Sequence, residues 1–348
     1  MAKTMKALMY DKAGRENSSV RQIPYPECGD DEIIIKVMSC SICKGAEHDH
    51  DNGKGTDLAK YPVVPGHEFA GYVHEVGKNV TAFKPGDRVT ADNTEYCGDC
   101  YYCRREESNY CPTFGSLGHN INGGFAEFVR VKKEKVFHIP DHLSFNAAAL
   151  SEPVACCIHA VDRANIRYGD TVVIFGAGSM AQILGQLFKA SNAEKVYMIA
   201  GKSSKLELAA KYGIIPIEMD RNDYSVHEKA LLKENPLGVD LIIDATGSTK
   251  SMKLLKKGGT LLQYAIVHSG EKVEMDPVLM FNNELTYTAS FCQSHNFGRA
   301  VDVLASGIVD GDSLVTGEFP LDDFYKGLDE NVKDRNSIKV IIHPNTEE

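Results

Sequence analysis

Two rhythms of apolar and polar positions divide the chain. Over residues 5–90, apolar stretches (KALMY, EIIIKVM, FAGYVHEVG, GDRVTA) alternate with clusters of Gly, Pro, Asn and Asp. Short apolar runs between breakers predict strands, here a barrel-like module of antiparallel pairs. Residues 91–123 interrupt that rhythm with an irregular stretch rich in Cys, Tyr, Asn and Gly. A loop of that length needs a function or an internal staple. FAEFVRV and KVFHIP then predict strands that close the region near residue 140.

Beyond residue 155 strands and helices alternate. TVVIF (171–175) reads as a buried strand, and GAGSMAQILGQLFKA as a glycine turn opening a helix. KVYMIA, the helical SSKLELAAKYG, IIPIEM, a helix over VHEKALLKE, VDLIID, a helical TKSMKLLKKGG, TLLQYAIV and LTYTAS follow. Six short apolar strands with mostly helical connections predict a parallel, doubly wound α/β sheet. From residue 296 a helix (FGRAVDVLASG) and short strand-like pieces return to the first domain. No internal repeat or low-complexity segment is present.

Length and charge narrow the classes. At roughly 150 residues per domain, 348 residues suggest two domains. The net charge of −10 opposes general binding to a phosphate backbone, so nucleic acid is not an expected partner. The first ten residues hold no apolar core of signal-peptide length, and no apolar run reaches the roughly 18 residues of a membrane span. A soluble, cytoplasmic protein without a membrane partner is expected. In that compartment ten cysteines are not a disulfide framework.

Four of them, Cys97, Cys100, Cys103 and Cys111, are spaced C-x2-C-x2-C-x7-C. Four thiolates this close can close a tetrahedral Zn²⁺ site, and a saturated site is structural. A zinc ribbon for nucleic acid would need basic surroundings, whereas Arg104 and Arg105 are offset by Asp99, Glu106 and Glu107. A second constellation is dispersed: Cys43 in CSICKGAEHDH, His67 and Glu68 in PGHEFAG, and Glu152 in SEPVACC. One thiolate, one imidazole and one or two carboxylates make an unsaturated ligand set, the catalytic kind of zinc site. A set with this many carboxylates also tolerates Mn²⁺.

GAGSMA (176–181) follows a strand and opens a helix, as a dinucleotide-binding turn does. Gly176 and Gly178 let the backbone approach a pyrophosphate, while Ser179 and Met180 begin the helix whose N–H groups face it. An NAD site carries an acid at the end of the next strand for the ribose 2′-OH. Here Ala200 and Gly201 stand in that place, followed by Lys202, Ser203, Ser204 and Lys205. With no carboxylate to repel a 2′-phosphate and two cations to hold one, NADP is expected over NAD.

GHEFAGYVHEVG, GDRV, the four-cysteine stretch, GGFAEFV, SEPVACCIHAV, GAGSMA and LASGIVD occur in the order and spacing of the zinc-dependent medium-chain dehydrogenases/reductases. The chain resembles that family over nearly its whole length, and within it the polyol dehydrogenases, because Glu68 and Glu152 are both present. TADNTEYCGDCYYCRREESNYC is similar to arabitol and arabitol-phosphate dehydrogenases. The resemblance implies a GroES-like catalytic domain over 1–155 rejoined by 296–348, a Rossmann domain over 156–295, and a cleft between them. It implies Cys43, His67 and Glu152 or Glu68 as ligands of a catalytic metal, and a homo-oligomer, dimer or tetramer.

The expected reaction is NAD(P)-linked interconversion of a sugar alcohol, or its phosphate, with the ketose, a pentitol of the arabitol type being the most specific expectation. A threonine- or butanediol-type secondary alcohol dehydrogenase is the alternative on the same scaffold. A catalytically silent NADPH-binding protein is the alternative of another class. The chain departs from the family pattern at Gly45, where relatives carry a relay hydroxyl, leaving His48 as the outer relay group or Glu47 or Glu68 as proton acceptor. It departs at Lys44, which suits a cofactor pyrophosphate or a phosphorylated substrate, and at Glu318, where many polyol enzymes carry Arg. Cys156 and Cys157 read as core residues.

Overall fold

The computed structural model describes residues 3–56, 58–220, 222–246, 249–265 and 275–346. The chain forms two compact units, Met1–Ala155 with Ser294–Glu348, and Cys156–Gln293.

The first unit is built on a seven-stranded sheet. Its strands run in the order Val315–Pro320, Lys339–His343, Glu32–Ser41, Glu68–Val76, Arg88–Ala91 and Val136–His138, with Phe128–Lys132 also paired to Glu32–Ser41. Every pairing is antiparallel except that of the two C-terminal strands. The central strand EIIIKVMSCS is buried on both faces, which is why it reads as a continuous apolar run rather than an alternation. On one face Ile33, Ile35 and Val37 pack with Phe69, Phe125, Phe324, Val340 and Ile342 into one cluster. Each such side chain contributes about 1.5–3 kcal/mol on full burial, so the C-terminal strand is held by the core of the N-terminal segment. The hairpin Thr4–Tyr10 with Ser18–Pro24 completes the unit, bridged to the remainder at Ala7–Ala126 and Tyr10–Val63.

The second unit is a six-stranded parallel sheet in the order Ile215–Glu218, Lys195–Ala200, Thr171–Phe175, Val239–Asp244, Leu255–Gln263 and Thr286–Ala289. The first strand in sequence lies centrally and the chain winds outward from it in both directions. A doubly wound sheet of this order binds ligands at the carboxyl ends of its strands, where the winding reverses. Here that point is the end of TVVIF, whose five residues are all buried.

The structure corrects the expected helix over TKSMKLLKKGG. Only a 3-10 turn, Thr249–Leu254, forms, and the strand begins at Leu255. The pairing slips between Val239–Leu255 and Leu241–Thr260, and Gly258 within that slip adopts φ 76°. Gly-Gly disfavours helix and absorbs a bulge, while Leu255 is buried in the sheet core. A helix that the apolar pattern does not announce spans Pro277–Asn283. The Asp276 carboxylate caps it by accepting from Val278 N at 2.9 Å and Leu279 N at 3.1 Å, with proline at the first turn. Ile266 and Val267, at the end of the predicted strand TLLQYAIV, lie outside the described residues.

Candidate functional site

The residues expected to carry chemistry fall into three groups, two in the first unit and one in the second. The sulfur atoms of Cys97, Cys100, Cys103 and Cys111 all lie within 4.8 Å of one another, and the cysteines are free thiols. Cys97 Sγ is 3.8 Å from Cys103 Sγ and 3.6 Å from Cys111 Sγ. Zn–S bonds of about 2.3 Å set a tetrahedral S···S edge of about 3.8 Å, so the cage fits a four-thiolate ion. Burial raises the Cys111 thiol, but hydrogen bonds from the backbone of Cys97 and from Thr113 outweigh it and bring it down to about 6. The stretch is anchored to the sheet by Lys135, a buried ammonium 2.9 Å from Asp92 and 3.0 Å from Thr94 Oγ1 that also sits 4.0 Å from the Tyr96 ring.

The second group is assembled at the mouth of the sheet. Gly66 turns the chain into the strand Glu68–Val76 with φ 94°, and a Cβ there would lie 2.8 Å from Cys40 Sγ and Phe125 N. That turn brings His67 and Glu68 to Cys43, which precedes the helix Lys44–Asp51; the donor atoms of the three lie within 4.8 Å of one another. His67 and Glu68 are buried, and burial pushes the Cys43 thiol up to about 11. Glu152, half-buried at the start of the helix Ser151–Ala164, stands outside this group, yet its charge bears on both Cys43 and Lys339.

Helical phase sorts KGAEHDHD. Glu47 and His50 turn inward and are buried; Lys44 and Gly45 are exposed and His48 is half-buried. Glu47 Oε2 accepts from Cys43 N at 2.6 Å, and its other oxygen lies 3.8 Å from His67 Nδ1. Burial raises the Glu47 carboxyl to about 8. Glu47 Oε1 and His67 Nδ1 are buried with no hydrogen-bond partner. A buried set of electron-pair donors with orphaned polar atoms fits a cation, which removes the cost of their isolation. Lys44 Nζ reaches the Val332 carbonyl at 3.3 Å, at the end of the helix Phe324–Lys333. Glu318 is taken up by His343 Nε2 at 2.9 Å and by Asn146 Nδ2 at 3.0 Å.

Two residues of this region escaped the sequence reading. Lys339 is buried in the strand Lys339–His343 and donates to both oxygens of Glu68, at 2.7 and 2.5 Å. Its neighbouring carboxylates outweigh burial and keep it protonated. The signal was a lysine inside the apolar run IKVIIH, since a buried charge must be paired. His119 is the other: its ring centroid lies 4.9 Å from that of His67 and 5.9 Å from that of His50, and its Nδ1 is 3.1 Å from Thr56 Oγ1. Burial drives it well below the usual imidazole range.

In the second unit Gly176 has φ 113°, with a virtual Cβ 3.3 Å from Thr246 Cγ2. Gly178 precedes the helix Ser179–Lys189 in open space, so the first turn containing Ser179 and Met180 is accessible from that side. Ala200 ends the neighbouring strand and Gly201 is equally open. Lys202 is exposed and Ser203 and Lys205 are half-buried, with Ser203 at the start of the helix Ser204–Lys211. Turn, open glycine and helix N-terminus fit a dinucleotide pyrophosphate.

Comparison with known proteins agrees with this arrangement. The family model for the alcohol dehydrogenase GroES-like domain matches residues 29–141, and that for the zinc-binding dehydrogenases matches residues 179–306. D-arabinitol dehydrogenase 1 of Uromyces fabae is 33% identical over 98% of this chain and 97% of its own. D-arabitol-phosphate dehydrogenase of Enterococcus avium is 33% identical over the whole of both. A zinc-binding dehydrogenase of Sinorhizobium meliloti solved with NADP bound superimposes with a TM-score of 0.90 at 31% identity, over 98% of this chain and 100% of that one. The chain belongs to the zinc-dependent medium-chain dehydrogenases/reductases, in their polyol dehydrogenase branch. Its reaction is accordingly NAD(P)-linked oxidation of a polyol, with zinc as the family's metal.

Proposed function

We propose that the enzyme interconverts a pentitol of the arabitol type, free or as its phosphate, with the corresponding ketose, using NADP in preference to NAD. Cys43, His67 and Glu68 hold the catalytic zinc, and Cys97, Cys100, Cys103 and Cys111 hold a structural one. The observation that carries this is the Cys43–His67–Glu68 group, three unlike donors converging within 4.8 Å, with His67 and Glu68 buried and Cys43 half-buried.

When bound, zinc supplies a Lewis acid that lowers the pKa of a substrate hydroxyl, and the nicotinamide supplies the hydride acceptor. The chain's own residues prepare both sites. Lys339 donates to both oxygens of Glu68 and so fixes its carboxylate against rotation. Glu47 Oε1 faces His67 Nδ1 at 3.8 Å and, through Oε2, holds the backbone N–H of Cys43, so it braces two members of the group at once. Gly45 offers no hydroxyl, so the substrate proton leaves by way of His48, on the less buried side of the helix. The glycine turn binds pyrophosphate, while Lys202, Ser203 and Lys205 hold the 2′-phosphate. Lys44, exposed beside Cys43, contacts phosphate of cofactor or substrate. The protein works as a cytoplasmic homo-oligomer, whose size light scattering measures directly.

Initial rates of NADP⁺ and NAD⁺ reduction with arabitol, xylitol, sorbitol, arabitol phosphates, threonine and 2,3-butanediol test this. Turnover confined to pentitols or their phosphates supports the proposal. Turnover of threonine or butanediol alone, the alternative on this scaffold, overturns it; cofactor binding without any turnover leaves the silent NADPH-binding reading instead.

A further inference from the structure

Gln182, one residue beyond the glycine turn, is completely buried in the helix Ser179–Lys189. A buried amide in a helix buried from Ala181 to Phe188, where Gln186 one turn on is the other buried polar side chain, is a local inconsistency, and such departures mark function or strain. Its Nε2 donates to the carbonyl of Lys205 at 2.8 Å and to that of Ala177 at 3.4 Å, and lies 3.6 Å from Met198 Sδ. Its Oε1 is buried with no hydrogen-bond partner. An amide with one end unsatisfied costs stability that an apolar side chain of the same volume would not.

The two carbonyls it joins belong to different parts of a dinucleotide site. Ala177 lies between Gly176 and Gly178, in the turn that faces the pyrophosphate. Lys205 lies in the first turn of the helix Ser204–Lys211, directly after Lys202 and Ser203. Both follow the C-terminal ends of adjacent parallel strands, Thr171–Phe175 and Lys195–Ala200. The strands fix the spacing of the two loops only at their roots. Gly201 has nothing within 4 Å of a virtual Cβ, and Lys202 is exposed, so side-chain packing leaves that part of the second loop unconstrained. One amide nitrogen with two protons, aimed at one carbonyl from each loop, sets that spacing from below.

We propose that Gln182 is a positioning residue for cofactor selection, holding the ribose-side loop 200–205 at a fixed distance from the pyrophosphate turn. This rests on the dinucleotide assignment of the glycine turn. It acts through the two backbones and touches no cofactor atom itself, so its removal changes the affinity for the adenosine half more than the chemical step.

The test is Gln182→Met, which conserves volume and removes both donors, beside Gln182→Asn, which keeps the amide on a shorter stem. KM and kcat are measured for NADP⁺ and NAD⁺ with the best polyol, together with NADPH affinity by fluorescence and the melting temperature. Gln182→Met should raise the KM for the preferred cofactor about 5- to 20-fold, compress the NADP⁺/NAD⁺ preference, change kcat less than about 2-fold and leave the melting temperature equal or higher; a 10-fold change corresponds to about 1.4 kcal/mol. Gln182→Asn should recover part of that loss. Unchanged KM values for both cofactors overturn the proposal. So does a parallel fall in melting temperature and in kcat with both cofactors, the result of a purely structural role. The wild-type preference is read from the same data: an enzyme favouring NAD⁺ refutes the NADP assignment, while the ratio of variant to wild-type KM still judges Gln182.

Discussion

At the scale of single residues, the decisive contact is the pair of Lys339 and Glu68, 271 positions apart and both buried. Breaking a buried pair by removing one partner strands the other charge, at a cost of about 3–5 kcal/mol. Lys339→Met should therefore lower unfolding stability by about 3 kcal/mol in urea titration, and substantially more than Lys44→Met, whose ammonium is exposed. The same pair bears on which glutamate serves the metal. Glu68→Gln should lower the zinc retained at the Cys43 site after dialysis, whereas Glu152→Gln, outside the donor group, should leave the zinc content near wild type and change kinetics first. Equal zinc loss in the two variants, by elemental analysis, would show that both glutamates hold the ion.

Elements carry a second kind of consequence. The strands Val315–Pro320 and Lys339–His343 are joined across their ends by Glu318 and His343. Hydrogen bonds from His343 and then Asn146 hold the Glu318 carboxyl below its ordinary value. A depressed carboxyl contributes stability that is present above the unfolded carboxylate value of about 4.3 and is lost as pH falls through the folded one. Glu318→Gln should flatten that acid limb of the stability–pH curve and change little above pH 7; an unaltered limb would put the acid sensitivity elsewhere. At the turn into the strand Glu68–Val76, Gly66→Ala meets both a positive φ and a virtual Cβ 2.8 Å from Phe125 N. A loss of about 1–3 kcal/mol follows from the backbone alone, and activity should fall with it because His67 and Glu68 are displaced.

For the whole molecule, the proposed structural zinc couples metal to fold at the four-cysteine stretch, where the donors come from a loop with little regular structure between Cys97 and Cys111. Metal binding there is folding free energy, so chelation should lower the melting temperature and expose residues 97–116 to protease before the sheet unfolds. Protection of that stretch in chelated protein would mean that Lys135 and its neighbours hold it without metal.

Legibility followed sequence distance. The glycine turn and the cysteine spacing are contiguous, so a local backbone course fixes their geometry and residue types alone announce the chemistry. The strand pattern was readable because burial on both faces leaves unbroken apolar runs such as TVVIF and EIIIKVM. Helix against strand in TKSMKLLKKGG was not, because a lysine- and leucine-rich segment suits either and the partner strand Val239–Asp244 decided. The inward turn of Glu47 and His50, with His48 half-buried, depends on where the helix begins at Lys44, which periodicity over eight residues does not set.

The sequence by itself therefore determined the α/β class, the family, the four-cysteine spacing and the glycine turn after a strand, since each is written in neighbouring residues. Only the tertiary structure decided that Lys339 pairs with Glu68, that His119 lies against His67, and that the Gln182 amide joins the glycine turn to the first turn of the helix Ser204–Lys211. Such contacts join segments that the chain separates, and their energies come from burial, which exists only once the fold has closed.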